Sequence, residues 1–348
     1  MLAPLPRPTR ASLLRSPAAG ALLAAFALAA CAPQATAPAA APPPATTAPA
    51  SPAGSAPSTP EEMAHKADDL ARKGDPKAAL PLFRQAWEAG YQKRGMAYDA
   101  ACAASLSGLT DEAVEWLYRS SSLGGHDMAA VDFDTDLDAL RKLPRWPEVR
   151  ARLASEAEDT LRKEGASEIP LRYELDSMVW EDQKAREAAV KTGFKDPKAI
   201  QAMMAMDAKH LPRLKELLAK YGWLGTHVVG KGGSTAAWLL VQHMDADVPF
   251  QRYALDLMTA AAAKDEASKK DLAYLTDRVL LAEKNPQRYG TQFATVNGTL
   301  VPRPMEDPAG VDERRKSVGL GTLAEYAKDM HETYGTPVST VTPPDLEK

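Results

Sequence analysis

The chain is short of cysteine, of surplus positive charge and of long apolar runs, and each shortage closes a class of protein. Two cysteines in 348 residues cannot build the disulfide framework of a small secreted domain. Lys+Arg of 42 against Asp+Glu of 46, a formal net charge of -4, leave no basic surplus to neutralise a phosphate backbone, so nucleic acid is not an expected partner. The apolar run from Ala18 to Ala30 is shorter than the roughly 20 residues that carry a helix across a bilayer. Local signatures of chemistry are missing too. There is no HExxH, no C-x-x-C and no Ser-His-Asp order, and the histidines His65, His126, His210, His227, His243 and His331 are dispersed. No cofactor or metal site is therefore expected.

What is present begins with an export signal over residues 1–30. Arg7, Arg10 and Arg15 precede the apolar run, which ends in Leu28-Ala29-Ala30-Cys31, a layout that suits a cleavable signal better than a membrane span. That ending resembles the bacterial lipobox. The resemblance implies that Cys31 becomes the first mature residue and carries acyl chains, which at ~0.8 kcal/mol per buried CH₂ anchor a protein durably in a membrane. Ala32 follows where an Asp would favour inner-membrane retention, which implies an outer-membrane lipoprotein facing the periplasm of a bacterial cell envelope. Residues 31–60 are rich in Ala, Pro and Thr, and after Cys31 they hold no charged or large apolar residue. Such a composition cannot bury enough surface to fold. It reads as a tether, reaching up to roughly 90 Å if extended at ~3.1 Å per residue.

From Glu61 the composition becomes helical and the chain matches itself at a spacing of 34 residues. Ala67 pairs with Ala101, Ala71 with Ser105, Gly74 with Gly108, Ala79 with Ala113, Phe83 with Leu117, Ala86 with Ser120 and Gly90 with Gly124. Small residues let paired helices approach, and the glycines end them. The pattern resembles the tetratricopeptide repeat, without that family's Trp-Leu-Gly start or closing Pro, and implies a concave surface for a protein or peptide partner. Two units and a cap over Asp132 to Leu153 fill residues 61–153. Within the cap, Asp132, Asp134, Asp136 and Asp138 alternate, but Leu137 and Leu143 stand where a calcium loop needs Gly and Glu, so helix capping is expected. Cys102, in AACAAS, reads as a small core side chain.

Residues 154–348 read as a helical domain with one β-hairpin near 289–304, so the fold class is mainly α. Helices are expected over Leu171 to Lys191, Pro197 to Lys209, Leu211 to Tyr221, Ser234 to Met244, Val248 to Ala263, Ser268 to Glu283, Val311 to Val318 and Leu323 to Tyr334, with Ser234 and Asp247 as N-caps. Asn297-Gly298 supplies the turn of the hairpin TQFATVNGTLVP. Gly225 to Lys231 spells G-x-x-x-x-G-K, but Gly232 replaces the magnesium-binding hydroxyl and the preceding segment is helical. It is expected to be a connection, not a phosphate loop.

The candidate ligand pocket consists of Gln242 and His243 in WLLVQH, Asp277 and Arg278 in AYLTDRV, Tyr289 and Gln292 in YGTQ, and Arg314 and Arg315 in DERRKSVGL. Arg278 falls away from the apolar stripe of Leu272, Leu275 and Val279. The order QH, DRV, YGTQ and RR followed by GL resembles an uncharacterised bacterial family of unknown function over about residues 180–335, and that resemblance implies no mechanism. Two functions are expected from these features. The first is a lipid-anchored protein-binding adaptor of the envelope. The second is an envelope hydrolase or ligand-binding domain acting on an anionic substrate, with His243 as base and Arg278 or Arg314 as anion stabiliser.

Overall fold

A computed structural model describes residues 59–343, apart from 125 and 126, together with Leu346. Cys31, the signal segment and all but the last two residues of the tether lie outside the described residues. Among those described, the chain is mainly α, with fourteen helices and a single two-stranded antiparallel sheet. None of these helices is long and apolar enough to cross a membrane.

Residues 59–122 form two helical hairpins: α1 (Pro60–Arg72) with α2 (Pro76–Glu88), and α3 (Arg94–Leu106) with α4 (Thr110–Ser122). Thr59 and Glu62 close a reciprocal capping box on α1, and Asp75 caps α2 through Ala78 N–H, satisfying donors that a helix start leaves open. Gly74, Gly90, Gly108 and Gly124 all have positive φ, from +79 to +134, and each follows the end of a helix. The residues matched at 34 positions are buried in both hairpins: Ala67 and Ala101, Ala79 and Ala113, Phe83 and Leu117, and Ala86 and Ser120 are all 0% exposed. A cap of α5 (Met128–Phe133), a 3₁₀ turn at Thr135–Leu137, α6 (Asp138–Arg141) and α7 (Trp146–Lys163) closes this half. The alternating aspartates do separate work there. Asp134 accepts from Asp136 N–H, Asp132 pairs with Arg150 at 2.6 Å, and Asp138 pairs with Arg141 at 2.7 Å.

The second half contains α8 (Ile169–Lys191), α9 (Pro197–Tyr221), α10 (Thr226–Gln242), α11 (Val248–Ala262), α12 (Lys269–Ala282), the hairpin β1 (Phe293–Val296) and β2 (Thr299–Pro302), α13 (Val311–Ser317) and α14 (Leu323–Tyr334). Asn297 and Gly298 both take positive φ, at 49° and 78°. That is the backbone a two-residue hairpin turn requires, and it sets Phe293 opposite Pro302.

Three expectations are corrected. The helices expected over 197–209 and 211–221 are one 25-residue helix that runs through Pro212, whose flanking turns are held by packing against α8. The segment after Gly225 is not a connection: Gly225 is the extended N-cap and residues 226–233 are the first turns of α10, broken only at Gly230 (φ 73°). Ser234 is accordingly no N-cap: it lies buried inside α10 and accepts from Trp223 Nε1 at 3.0 Å. Helix α7 runs from Trp146 to Lys163, and the chain turns at Gly165 (φ 87°) before α8.

Helix α8 serves both halves. Leu171, Leu175, Met178 and Val179 enter the core of the second half, while Tyr173 and Trp180 pack on the core of the first. Arg172 holds Asp176 at 2.8 Å and lies against Gly232 and Gly233 of α10. A side chain at Gly232 would collide with the guanidinium, and one at Gly233 with Val229 and the Arg172 stem. The half-buried Asp127, the cap of α5, faces this pair, and burial, then the charge of Asp176, push its carboxyl up to about 7.

Candidate functional site

Asp277 and Arg278 are neighbours on α12, and the fold sends them to different tasks. Asp277 is 0% exposed and is the hub of the loop 287–292. Its carboxylate accepts from the backbone N–H of Arg288 at 2.7 Å, Tyr289 at 2.9 Å and Thr291 at 2.9 Å, and from Thr291 Oγ1 at 2.9 Å. Burial raises its carboxyl and these donors oppose the rise. The same loop is held from outside by α13. Arg315, 1% exposed, donates to Gly321 O at 2.6 Å and Tyr289 O at 2.9 Å and stacks 5.0 Å from the Tyr326 ring. Arg314 donates to Arg288 O at 2.7 Å. From inside, Gln287 bridges to the backbone of Gln292 and Arg303, and Gln292 Nε2 donates to Thr291 Oγ1 at 3.1 Å. Asp277, Tyr289, Gln292, Arg314 and Arg315 thus fix a loop, with every charged group among them partnered.

His243 and Arg278 belong to a second cluster that sequence spacing did not assemble. His243 follows the C-terminal end of α10, and its Nδ1 lies 3.0 Å from Asp182 Oδ2 on α8. Asp182, 1% exposed, also accepts from Arg186 at 2.9 Å and Gln183 at 2.8 Å. Burial would raise its carboxyl, but the partners His243, Arg186 and Gln183 hold it well below the usual carboxylate range. An ionised carboxylate only accepts, so the imidazole proton sits on Nδ1 and the lone pair on Nε2. Burial, then the positive charge of Arg186, push His243 below the ordinary histidine range, so the ring is neutral at neutral pH. Arg186 also pairs with Asp207 of α9, whose carboxyl burial pushes up to about 7.

Arg278, with its side chain 8% exposed, donates Nη1 to Asp245 at 2.7 Å, and Asp245 is 39% exposed. Asp245 thus stands nearer the solvent than the buried Arg278. Gln251 of α11 donates to Gln242 O at 3.1 Å and Asp245 at 3.3 Å, tying the turn after α10 to α11. The half-buried Arg303, just past β2, feels the charge of Arg278, and burial and that repulsion both lower its pKa. Several buried atoms of the cluster have no hydrogen-bond partner: His243 Nε2, Arg278 Nε and Nη2, and Gln251 Oε1. Leaving such a group unmade costs about 1 to 3 kcal/mol, more when it is charged.

Residues 170–339 match the model of DUF6624, a family of unknown function. Every residue of the cluster lies within the DUF6624 stretch, as do the residues that fix the loop, whereas the two helical hairpins lie outside it. No curated protein and no solved structure matches the chain.

Of the sequence candidates, then, His243 and Arg278 share a half-satisfied cluster, with the buried Gln242 beside His243, and the other five build the neighbouring loop. Sequence reasoning missed Asp182, Arg186, Asp207, Asp245, Gln251 and Arg303. One signal was available. The stripe Leu171, Leu175, Met178 of α8 continues at helical spacing into Asp182, Arg186 and Ala189, so charged residues occupy the buried face of that helix. Among the described residues, the one set of three side chains spaced for a metal is Cys102, Asp134 and Asp136, in the first half. Asp134 is already engaged there by Tyr98 OH and Asp136 N–H.

Proposed function

We propose that this is an exported, lipid-anchored protein of the bacterial cell envelope whose second half binds an anionic ligand. The observation that carries the ligand site is the set of unpartnered buried atoms on His243, Arg278 and Gln251. A fold gains nothing by burying cationic donors unmet, whereas a ligand that arrives with oxygen acceptors completes them. Arg303 adds positive charge beside Arg278 with no carboxylate on its side chain among the described residues, which selects an anion. The Leu28-Ala29-Ala30-Cys31 stretch supports the anchor, and the uncharged residues 32–60 support a tether holding the folded part away from the membrane.

The test is thermal melting of the full chain with succinate and with phosphate. A ligand present at a hundred times its Kd stabilises by about 2.7 kcal/mol. At least one anion should raise the melting temperature in the native chain and fail to do so in Arg278→Gln. Equal melting with and without both anions would sink the ligand site. The anchor is separate: Cys31→Ser should abolish fatty-acid labelling, and normal labelling of that variant would refute lipidation.

A second reading, an adaptor that holds a protein partner on tetratricopeptide-like repeats, is favoured by Leu106, Leu109, Leu123 and Phe133, large apolar side chains of the first half that are 42 to 54% exposed. Replacing Leu106 and Phe133 by Glu should release a bound partner without lowering the melting temperature. Unchanged co-purification would count against it.

A further inference from the structure

We propose that the cluster is hydrolytic: His243 acts as general base for attack of water on a carboxylic ester whose second, anionic group is held by arginine. This rests on the reading of the cluster as an anion site. The first support is the orientation of the imidazole. Asp182 fixes the proton on Nδ1, and Gln183 and Arg186 hold Asp182 in place, so the group presented by the buried Nε2 is a lone pair with nothing to accept. A buried lone pair can meet a donor, a metal or a substrate proton. The arginines whose charges act on His243, Arg186 and Arg278, are already committed in part to Asp182 and Asp245, and among the described residues no metal-spaced set of side chains includes His243. A proton from water remains.

The choice of a carboxylic ester follows from there being one imidazole. In acyl transfer, attacking and leaving oxygens meet at the same carbon in one tetrahedral intermediate, so one imidazole can serve as base and then as acid. In-line displacement at phosphorus sets those oxygens on opposite sides, and one imidazole cannot reach both. The step balances as follows. His243 Nε2 takes a proton from water while the water oxygen bonds to the carbonyl carbon, giving a tetrahedral oxyanion. Arg278 Nε and Nη2 are the free donors for that oxyanion, and Arg303 holds the second anionic group. The carbon then expels the alcohol oxygen, which takes the proton from Nε2, leaving a carboxylic acid and an alcohol. Asp182 is a positioning residue, touching only the imidazole.

The charged groups that act on His243 are Asp182 and Arg186 from α8, Asp245 from the turn and Arg278 from α12. Behind them, Asp207 from α9 pairs with Arg186, Gln251 from α11 donates to Asp245, and Arg303 beyond the hairpin feels Arg278. The experiment offers the full chain p-nitrophenyl hydrogen succinate, p-nitrophenyl butyrate and bis(p-nitrophenyl) phosphate. The succinate ester should be cleaved at least ~10-fold faster than the butyrate, as expected if an arginine binds its free carboxylate, and the phosphodiester should be left intact. His243→Asn, which can still donate to Asp182, should lose ~100-fold or more of the rate and keep the succinate-induced rise in melting temperature. If that variant does not fold, the native pH profile decides. The rate should hold down through the ordinary histidine range and fall only below it, and Asp207→Asn should retain that acid limb. Asp182→Asn should displace the limb, which a purely structural role would not do. No cleavage of either ester by a chain that still responds to succinate overturns the hydrolytic proposal and leaves the binding site standing. Absence of both response and cleavage overturns both. Cleavage of the phosphodiester, full activity of His243→Asn, or no acid limb each overturns it as well.

Discussion

The two halves of the molecule solve burial differently. Among the described residues of 59–153 the buried polar side chains are Ser105, Ser120, Ser121 and Asp134, and the ion pairs Arg84 to Glu112, Arg145 to Asp111 and Arg150 to Asp132 stay at the surface. In the second half Asp176, Asp182, Arg186, His243, Asp277, Arg278 and Arg315 are all buried. Alanine-rich helices need only approach one another, and the polar groups they bury are chiefly small hydroxyls. Where whole charged side chains go inside, each must be met, and the second half divides into a loop where they are and a cluster where they are not. The first half leaves serine hydroxyls buried without a partner, Ser105, Ser107 and Ser121 among them. The second half leaves donors of a buried cation, Arg278 Nε and Nη2, without a partner.

That contrast can be broken most sharply at Asp277. Asp277→Ala removes an acceptor shared by four donors and should cost about 3 kcal/mol or more, read as a lowered urea midpoint. Hydrogen exchange should rise first over 287–292 and leave α1 to α4 protected. A mild effect would mean that the loop does not depend on its hub. Next in size, Ala79→Trp forces a large ring between close helices and should cost about 1 to 3 kcal/mol, with exchange rising in the first half. Unchanged melting would show that the small residues are not needed for close approach. Arg278→Gln should cost at most about 1 kcal/mol, because the carboxylate it abandons, Asp245, is 39% exposed and water can satisfy it. A loss as large as that of Asp277→Ala would place Arg278 among the structural charges and erase the division.

The smallest effect belongs to the seam. Asp127 has a folded carboxyl raised from 3.8 to about 7, so the folded state holds its proton more tightly than the unfolded chain. The stability this contributes is full below the unfolded value and lost as pH rises through the folded one. Between pH 5 and pH 8 the native melting temperature should therefore fall more than that of Asp127→Asn, which can still cap α5. Parallel curves would show that Asp127 does not titrate there.

The helices, the hairpin and the small-residue pairs of the first half were legible because each rests on neighbours in sequence: capping residues, a two-residue turn, a fixed spacing. The candidate site was legible only in part. His243 and Arg278 stood out, but their partners Asp182, Asp245 and Arg303 come from a distant helix, a turn and a strand end, and no spacing announces a contact between residues 61 apart. Asp277 and Arg278 show the limit best. Adjacent in sequence and both buried, they are separated in role by the 100° that one residue turns a helix. Likewise the sequence reading left a gap at residue 210 and a connection around Gly230, and packing carried the helix through one and only kinked it at the other.

Helix α8 gives the two halves a common rod. Arg172 and Asp176 sit at the seam and Asp182 and Arg186 in the cluster, and ten residues from Arg172 to Asp182 span roughly 15 Å at 1.5 Å per residue. A hydrogen-bonded helix neither stretches nor slips along its own length, so a displacement imposed at one end arrives undiminished at the other. The carboxylate that orients His243 is therefore mounted on the same beam that bears the load between the halves, and the imidazole keeps its aim only while that beam keeps its place.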